Sequence, residues 1–233
     1  MRIKNTVKGL RIFLRIRYSP LFYSGPERLH RKLLPYLSFD GGYYVELGAN
    51  DGISQSNTFF LEKKSKWHGL LIEPVPHLFF RCVKNRSVNN SFRCAAAVPN
   101  SFQEEFVRIR YADLMSRTMN IYSDNNEITE HEILAKKYLK PNESIIEFGA
   151  VAKTLTSMLD ECKAPTKIDF MSLDVEGSEL AVLDGIDHNK YRFKYILIES
   201  RDKKATIDFL EKYGYELVNA ISKMDLLFAS KWE

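Results

Sequence analysis

The stretch Tyr43-Tyr44-Val45-Glu46-Leu47-Gly48-Ala49-Asn50-Asp51-Gly52 decides the fold. Five residues with little polar alternation, Tyr43–Leu47, run directly into a turn that carries two glycines four positions apart. A strand of this kind is buried on both faces and belongs to a parallel sheet covered by helices. Working outward, Gly69–Ile72, Phe92–Val98, Ile168–Leu173 and Tyr195–Ile198 have the same character. Helical periodicity fills the gaps at 55–65, 77–86, 155–162, 178–184 and 203–213. Gly185 and Gly214 follow two of these helices, where a left-handed C-terminal residue is expected. Tyr215–Ala220 and Leu226–Ala229, separated by Ile221–Asp225, predict a closing antiparallel pair. The whole reads as a βαβ series, a doubly wound α/β domain.

Residues 100–150 interrupt the rhythm with a strand candidate at Phe106–Arg110, a polar stretch around Ser123–Asn126, and a helix start where Thr129 precedes Glu132 by three, a capping box. Material inserted after a strand's carboxyl end lies near the ligand crevice of an open α/β sheet, so this segment reads as a substrate cap. At the other end, residues 3–16 on a helix align Lys4, Lys8, Arg11 and Arg15 beside an apolar stripe of Ile3, Val7, Leu10 and Leu14. Ser19-Pro20 ends that segment, and a second apolar-periodic stretch from Pro26 runs through Leu29, Leu33, Leu34 and Leu37. The expected division is a basic amphipathic arm over 1–38 and a catalytic domain over 39–233.

The chain has 233 residues, 45% of them hydrophobic, enough for a sizeable core and too many for low-complexity disorder. Its net charge of +4 is unevenly held: residues 1–17 carry six basic side chains and no acid, leaving 28 basic against 30 acidic elsewhere. A slightly acidic body argues against nucleic acid as a partner. The arm suits either an anionic membrane surface or docking on the domain, and its composition also resembles a mitochondrial leader. Cys82, Cys94 and Cys162 form no CxxC pair and suggest neither a zinc site nor a disulfide framework. A cytoplasmic protein, peripheral on the membrane through residues 1–17, is the expectation.

Three groups of residues carry the chemistry. In the turn, Gly48 and Gly52 permit close approach of a ligand to the backbone. Glu46 at the strand end repels a pyrophosphate and attracts an amino group or a sulfonium. The glycine spacing departs from GxGxxG, which weighs against a nicotinamide-dependent oxidoreductase; a plain Asn-Asp-Gly turn is the bland alternative. Glu73, ending Leu70-Leu71-Ile72-Glu73-Pro74, can accept hydrogen bonds from two ribose hydroxyls. In Leu173-Asp174-Val175-Glu176-Gly177-Ser178-Glu179, an extended chain would turn Asp174 and Glu176 toward the crevice together. Two converging carboxylates make a general base or hold a divalent cation such as Mg. Glu179 reads as helix-end chemistry.

The ordered set Glu46-x-Gly-Ala-Asn-Asp-Gly, Ser56-Asn57-Thr58, Trp67-His68-Gly-Leu-Leu-Ile-Glu73-Pro and Ile168-Asp-Phe-Met-Ser-Leu-Asp174-Val-Glu-Gly-Ser-Glu-x-x-x-Leu183-x-Gly185 closely resembles the FkbM family of S-adenosylmethionine-dependent methyltransferases. The likeness spans about residues 40–230. It implies a Rossmann-like class I methyltransferase fold: a mostly parallel seven-stranded sheet with an antiparallel last strand and helices on both faces. It further implies that Glu46, Gly48, Ala49, Asn50, Asp51 and Gly52, with Ser56 and Asn57, hold the methionine part of S-adenosyl-L-methionine. Glu73 and Pro74 would hold the ribose, Ala96 would lie near the adenine, and Asp174 and Glu176 would lie beside the transferred methyl.

The expected reaction is O-methylation of a sugar hydroxyl in a surface polysaccharide or lipid-linked glycan, with Asp174 or Glu176 as base or metal ligand. His131 on the inserted helix, Glu199 ending the fifth strand and Asp225 before the last strand are further acids or bases without an assigned role. A non-catalytic glycan-binding or assembly protein on the same scaffold is the competing class.

Overall fold

The computed structural model describes residues 29–113, 115–119, 121, 139 and 144–231. The basic stretch 1–17, the capping box at Thr129, and His131 lie outside the described residues. A short helix, α1 (Leu29–Leu33), precedes strand β1 (Tyr43–Leu47). Then come α2 (Phe59–Ser65), β2 (His68–Ile72), α3 (Pro76–Asn85), β3 (Ser91–Arg93) and β4 (Ala96–Ala97). The middle of the chain holds β5 (Phe106–Tyr111), β6 (Arg117–Thr118), β7 (Ile146–Lys153) and α4 (Leu155–Glu161). It ends with β8 (Lys167–Leu173), α5 (Glu179–Asp184), β9 (Arg192–Glu199), α6 (Lys203–Lys212), β10 (Tyr215–Ala220) and β11 (Asp225–Ser230).

Seven strands form the main sheet in the order β10-β11-β9-β8-β1-β2-β3. From β3 through β9 the pairs are parallel; β11, last in the chain, is antiparallel to both β9 and β10. Apolar side chains of α4, α5 and α6 cover one face, among them Leu155, Met158, Val182 and Leu210. Those of α1, α2 and α3 cover the other, among them Leu33, Leu61 and Cys82. The expected architecture with helices on both faces is therefore present. Because β1 lies between β2 and β8, the chain leaves β1 in one direction and later returns on its other side. A crevice opens at the carboxyl ends of strands at such a reversal.

Local chemistry sets the helix ends. Pro76 starts α3, where a missing amide costs nothing. Thr154 and Asp202 cap α4 and α6 by accepting from Ser157 N and Ala205 N. Gly214 has φ 77°, as expected after α6, but Gly185 after α5 has φ −75°. Gly185 is instead required by packing, since a Cβ there would sit 2.4 Å from the Val98 carbonyl oxygen.

Two further expectations are corrected. The run Phe92–Val98 is not one strand: β3 joins the main sheet beside β2, while β4 pairs with β7 in a second sheet. That four-stranded sheet, β4-β7-β5-β6, has its own small core of Ala96, Val98, Val107, Ile109 and Ala150. It contains β7, which pairs antiparallel with β5. The other correction concerns the arm. Leu33 and Leu37 are 0% and 1% exposed and pack with Tyr44, Trp67 and Leu227, so residues around them belong to the packed domain. Burying each such leucine contributes about 1.5–3 kcal/mol. Among the described residues no helix is long and apolar enough to cross a membrane.

Candidate active site

A cavity of about 600 Å³ opens over the carboxyl ends of β1, β2, β8 and β9. Glu46, Gly48 and Asn50 of the first turn line it, as do Ser56 and Asn57. Glu73, Pro74 and Ala96 form another wall. Asp174 and Glu176 face it from β8, and Glu199 and Asp225 from β9 and β11. Ala49, Asp51 and Gly52 do not line it. Asp51 is turned into its own loop, where its carboxylate accepts from Ile53 N and Ser54 N, and Gly52 is buried.

The glycines of the turn answer to the protein rather than to a ligand. A Cβ on Gly48, at φ 77°, would fall 2.0 Å from the Asp174 carbonyl oxygen, so glycine there lets β1 and the end of β8 approach. Glu46 is 3% exposed and its carboxylate already accepts from Ser56 Oγ, Asn57 N and Thr58 Oγ1, all within 2.9 Å, with Arg86 Nη1 at 3.3 Å. It braces the loop that follows β1. Asn57 Nδ2 in turn donates to Ser172 Oγ at 3.1 Å, joining that loop to β8.

Glu73 is differently placed. Its two oxygens each take one backbone amide, Asn50 N at 2.8 Å and Val75 N at 2.9 Å. Asn50 presents that amide from a left-handed conformation, φ 48°. A carboxylate has about four acceptor positions, so capacity remains on both oxygens. Burial outweighs the two amide bonds and pushes this carboxyl up to about 7.

At the far wall the register does the work. Asp225 pairs directly across from Glu199, and Leu173 pairs with Ile198, which brings Asp174 beside them. Burial, then the charges of Glu199, Glu176, Glu179 and Asp225, raise Asp174 well above the ordinary carboxylate range. Burial and its acidic neighbours push Glu199 up to about 7, against a lowering effect of Arg201. The chain does not stay extended after Asp174: Glu176 and Gly177 have φ 56° and 103°, and Arg201 Nη2 donates to Glu176 Oε2 at 2.8 Å. Glu179 holds this loop from below, accepting from Gly177 N at 2.9 Å, in keeping with its structural reading. Thr118 of β6 is hydrogen-bonded to Ser178, which draws the second sheet over the loop as one side of the crevice.

The cavity brings together a carboxylate with remaining acceptor capacity, Glu73, and a group of acids on its far wall, Asp174, Glu176, Glu199 and Asp225. Among the described residues no group of three or more His, Cys, Asp or Glu is arranged to hold a metal ion, and Glu176 is paired with Arg201. Sequence reasoning missed Arg86, Ser172 and Arg201. Only the three-dimensional neighbourhood distinguishes them from other polar residues.

The profile of the methyltransferase FkbM domain matches residues 46–217. Structural likenesses are loose. A precorrin-6y C5,15-methyltransferase from Geobacter metallireducens is 13% identical, with a TM-score of 0.43 over 87% of each chain. A SAM-dependent methyltransferase from Aquifex aeolicus is 12% identical, with a TM-score of 0.42 over 88% of this chain and 93% of its own. A human methyltransferase 10 domain containing protein is 12% identical, with a TM-score of 0.44 over 88% and 83%. No curated protein matches the chain.

Proposed function

The chain belongs to the FkbM methyltransferase family and is an S-adenosylmethionine-dependent methyltransferase, and we propose that it methylates a hydroxyl of a sugar in a surface polysaccharide or lipid-linked glycan. The observation that carries this reading is the placement of two neighbouring acids, Asp174 and Glu199, on the same cavity as Glu73. S-adenosylmethionine, when bound, supplies an electrophilic methyl on a sulfonium. Glu73 binds the ribose, and the loop braced by Glu46, with Ser56 and Asn57, binds the methionine end. Asp174 takes the acceptor's hydroxyl proton as that oxygen is aligned about 3 Å from the methyl. Burial and then the charge of Glu199 raise the proton affinity of Asp174, and Glu176, tied to Arg201, bounds the acceptor side. Hydroxyl side chains of Ser116, Thr118, Ser178 and Ser222 on the remaining wall suit a polyhydroxylated acceptor.

Incubation with methyl-labelled cofactor and extracted glycan or lipid-linked oligosaccharide fractions tests the substrate class. Label in the carbohydrate supports it; label confined to protein, nucleic acid or small molecules defeats it, and binding without turnover favours a non-catalytic assembly role. We further propose that residues 1–17 hold the enzyme against an anionic membrane, the expected consequence of six basic side chains without an acid. Deleting them should weaken binding to anionic liposomes and spare activity on a detached acceptor.

A further inference from the structure

The group that most directly shapes the cofactor loop is not part of it. Arg86 follows α3, and its side chain is 0% exposed. All five of its N–H bonds have acceptors to meet. Nε donates to Glu62 Oε2 at 2.7 Å. Nη1 is within 3.1 Å of both the Gly52 carbonyl and Ser56 Oγ and 3.3 Å from Glu46 Oε2. Nη2 donates to Tyr44 OH at 2.6 Å and to Thr58 Oγ1 at 2.9 Å. The stem is fitted as closely as the head: a Cβ on Gly52 would lie 2.8 Å from Arg86 Cγ, at a residue whose φ of 79° already favours glycine.

We infer that Arg86 is a positioning residue for the methyl donor, holding residues 52–58 in the shape that receives it. The inference rests on the assignment of this loop to the methionine end of the cofactor. Its physical basis is the rigid fork of the guanidinium, which reaches a carbonyl, three hydroxyls and two carboxylates on different sides at once. A lysine ammonium carries the same charge but donates from a single point, so it cannot span Gly52, Thr58 and Glu62 together. Glu46 and Glu62 bring two carboxylates into the same interior, and Arg86 compensates them while tying both to the loop.

The test uses the full chain and S-adenosylhomocysteine as the probe. Arg86→Lys should raise its calorimetric dissociation constant at least about tenfold, because small displacements of a binding loop are costly. Without ligand, amides of 52–58 should exchange hydrogen faster while those of β8 and β9 keep their protection. Glu62→Gln disturbs the same buried network yet leaves Arg86 bonded to the loop, and should keep affinity within about threefold, which a merely structural role would not predict. Should Arg86→Lys fail to fold, the double change Arg86→Gln with Glu62→Gln removes one charge of each sign and must show the same loss. Binding by Arg86→Lys within about threefold of the wild type, with unchanged exchange at 52–58, overturns the positioning role alone. A wild-type protein that binds no S-adenosylhomocysteine overturns the loop assignment and the positioning role together.

Discussion

Glu46 and Glu62, both paired with Arg86, and Asp174, Glu199 and Asp225, which face the crevice, are carboxylates of one domain, yet they are held in opposite ways. Burial would push Glu62 up, but the Arg86 guanidinium, with hydrogen bonds from Arg86, Lys63 and Asn90, brings it down to about 2. Asp174 is raised by burial and then by the charge of Glu199, and Glu199 by burial and then by the charges of Glu176, Asp225 and Glu179. A buried acid that meets a guanidinium becomes a fixed anchor; buried acids that meet other acids hold protons near neutrality and can exchange them. Carboxylates thus supply both the brace of the loop after β1 and one wall of the cavity.

The contrast can be broken most severely at Asp174. Asp174→Asn should lower kcat by about 10²–10⁴, the usual worth of a general base, while S-adenosylhomocysteine affinity measured by calorimetry stays within several-fold. Retained turnover would move the base elsewhere. Next, Gly48→Ala drives a Cβ against the Asp174 carbonyl and forces a side chain into φ 77°. It should cost about 1–3 kcal/mol in denaturant unfolding and disturb both walls, since β1 and β8 part there.

The third prediction concerns pH. Activity should rise as pH passes through about 7, where Glu199 loses its proton and the pair becomes able to accept one. Stability should move the other way. A carboxyl whose folded value is raised from 4.5 to about 7 binds its proton more tightly folded than unfolded. Its stabilising contribution is complete below the unfolded value and is lost as pH rises through the folded one. Glu199→Gln removes a like charge beside Asp174, so the rising limb of the pH–rate profile should shift to lower pH; an unmoved limb would separate the two acids. The smallest effect belongs to Arg201→Gln. This half-exposed pair with Glu176 should contribute under about 1 kcal/mol to stability, but its loss should shift the same limb toward higher pH.

Much of this arrangement was readable along the chain. The alternation of short apolar runs with helical periods announced the main sheet, because parallel strands buried on both faces leave that mark whatever their neighbours. The acids at the strand ends, Glu46, Glu73, Asp174 and Glu199, were legible because a strand's last residue in such a sheet is close to the crevice by construction. The reading failed where pairing depends on distant partners. Phe92–Val98 reads as one apolar run, yet Ser91–Arg93 meets β2 and Ala96–Ala97 meets β7. Leu33 and Leu37 read as an arm until Trp67 and Leu227 are seen beneath them. Asp51 and Gly52 stood in the right motif but turn away from the cavity.

The amino-acid sequence by itself determined the fold class, the strand-end acids and the family, because periodicity and ordered motifs are properties of neighbours along the chain. What each acid does was decided only in three dimensions. Glu62 lies 24 residues before Arg86 and Asp174 lies 25 before Glu199. Whether a buried carboxylate meets a cation or another carboxylate depends on strand register and on where a helix ends, and that meeting sets its proton affinity.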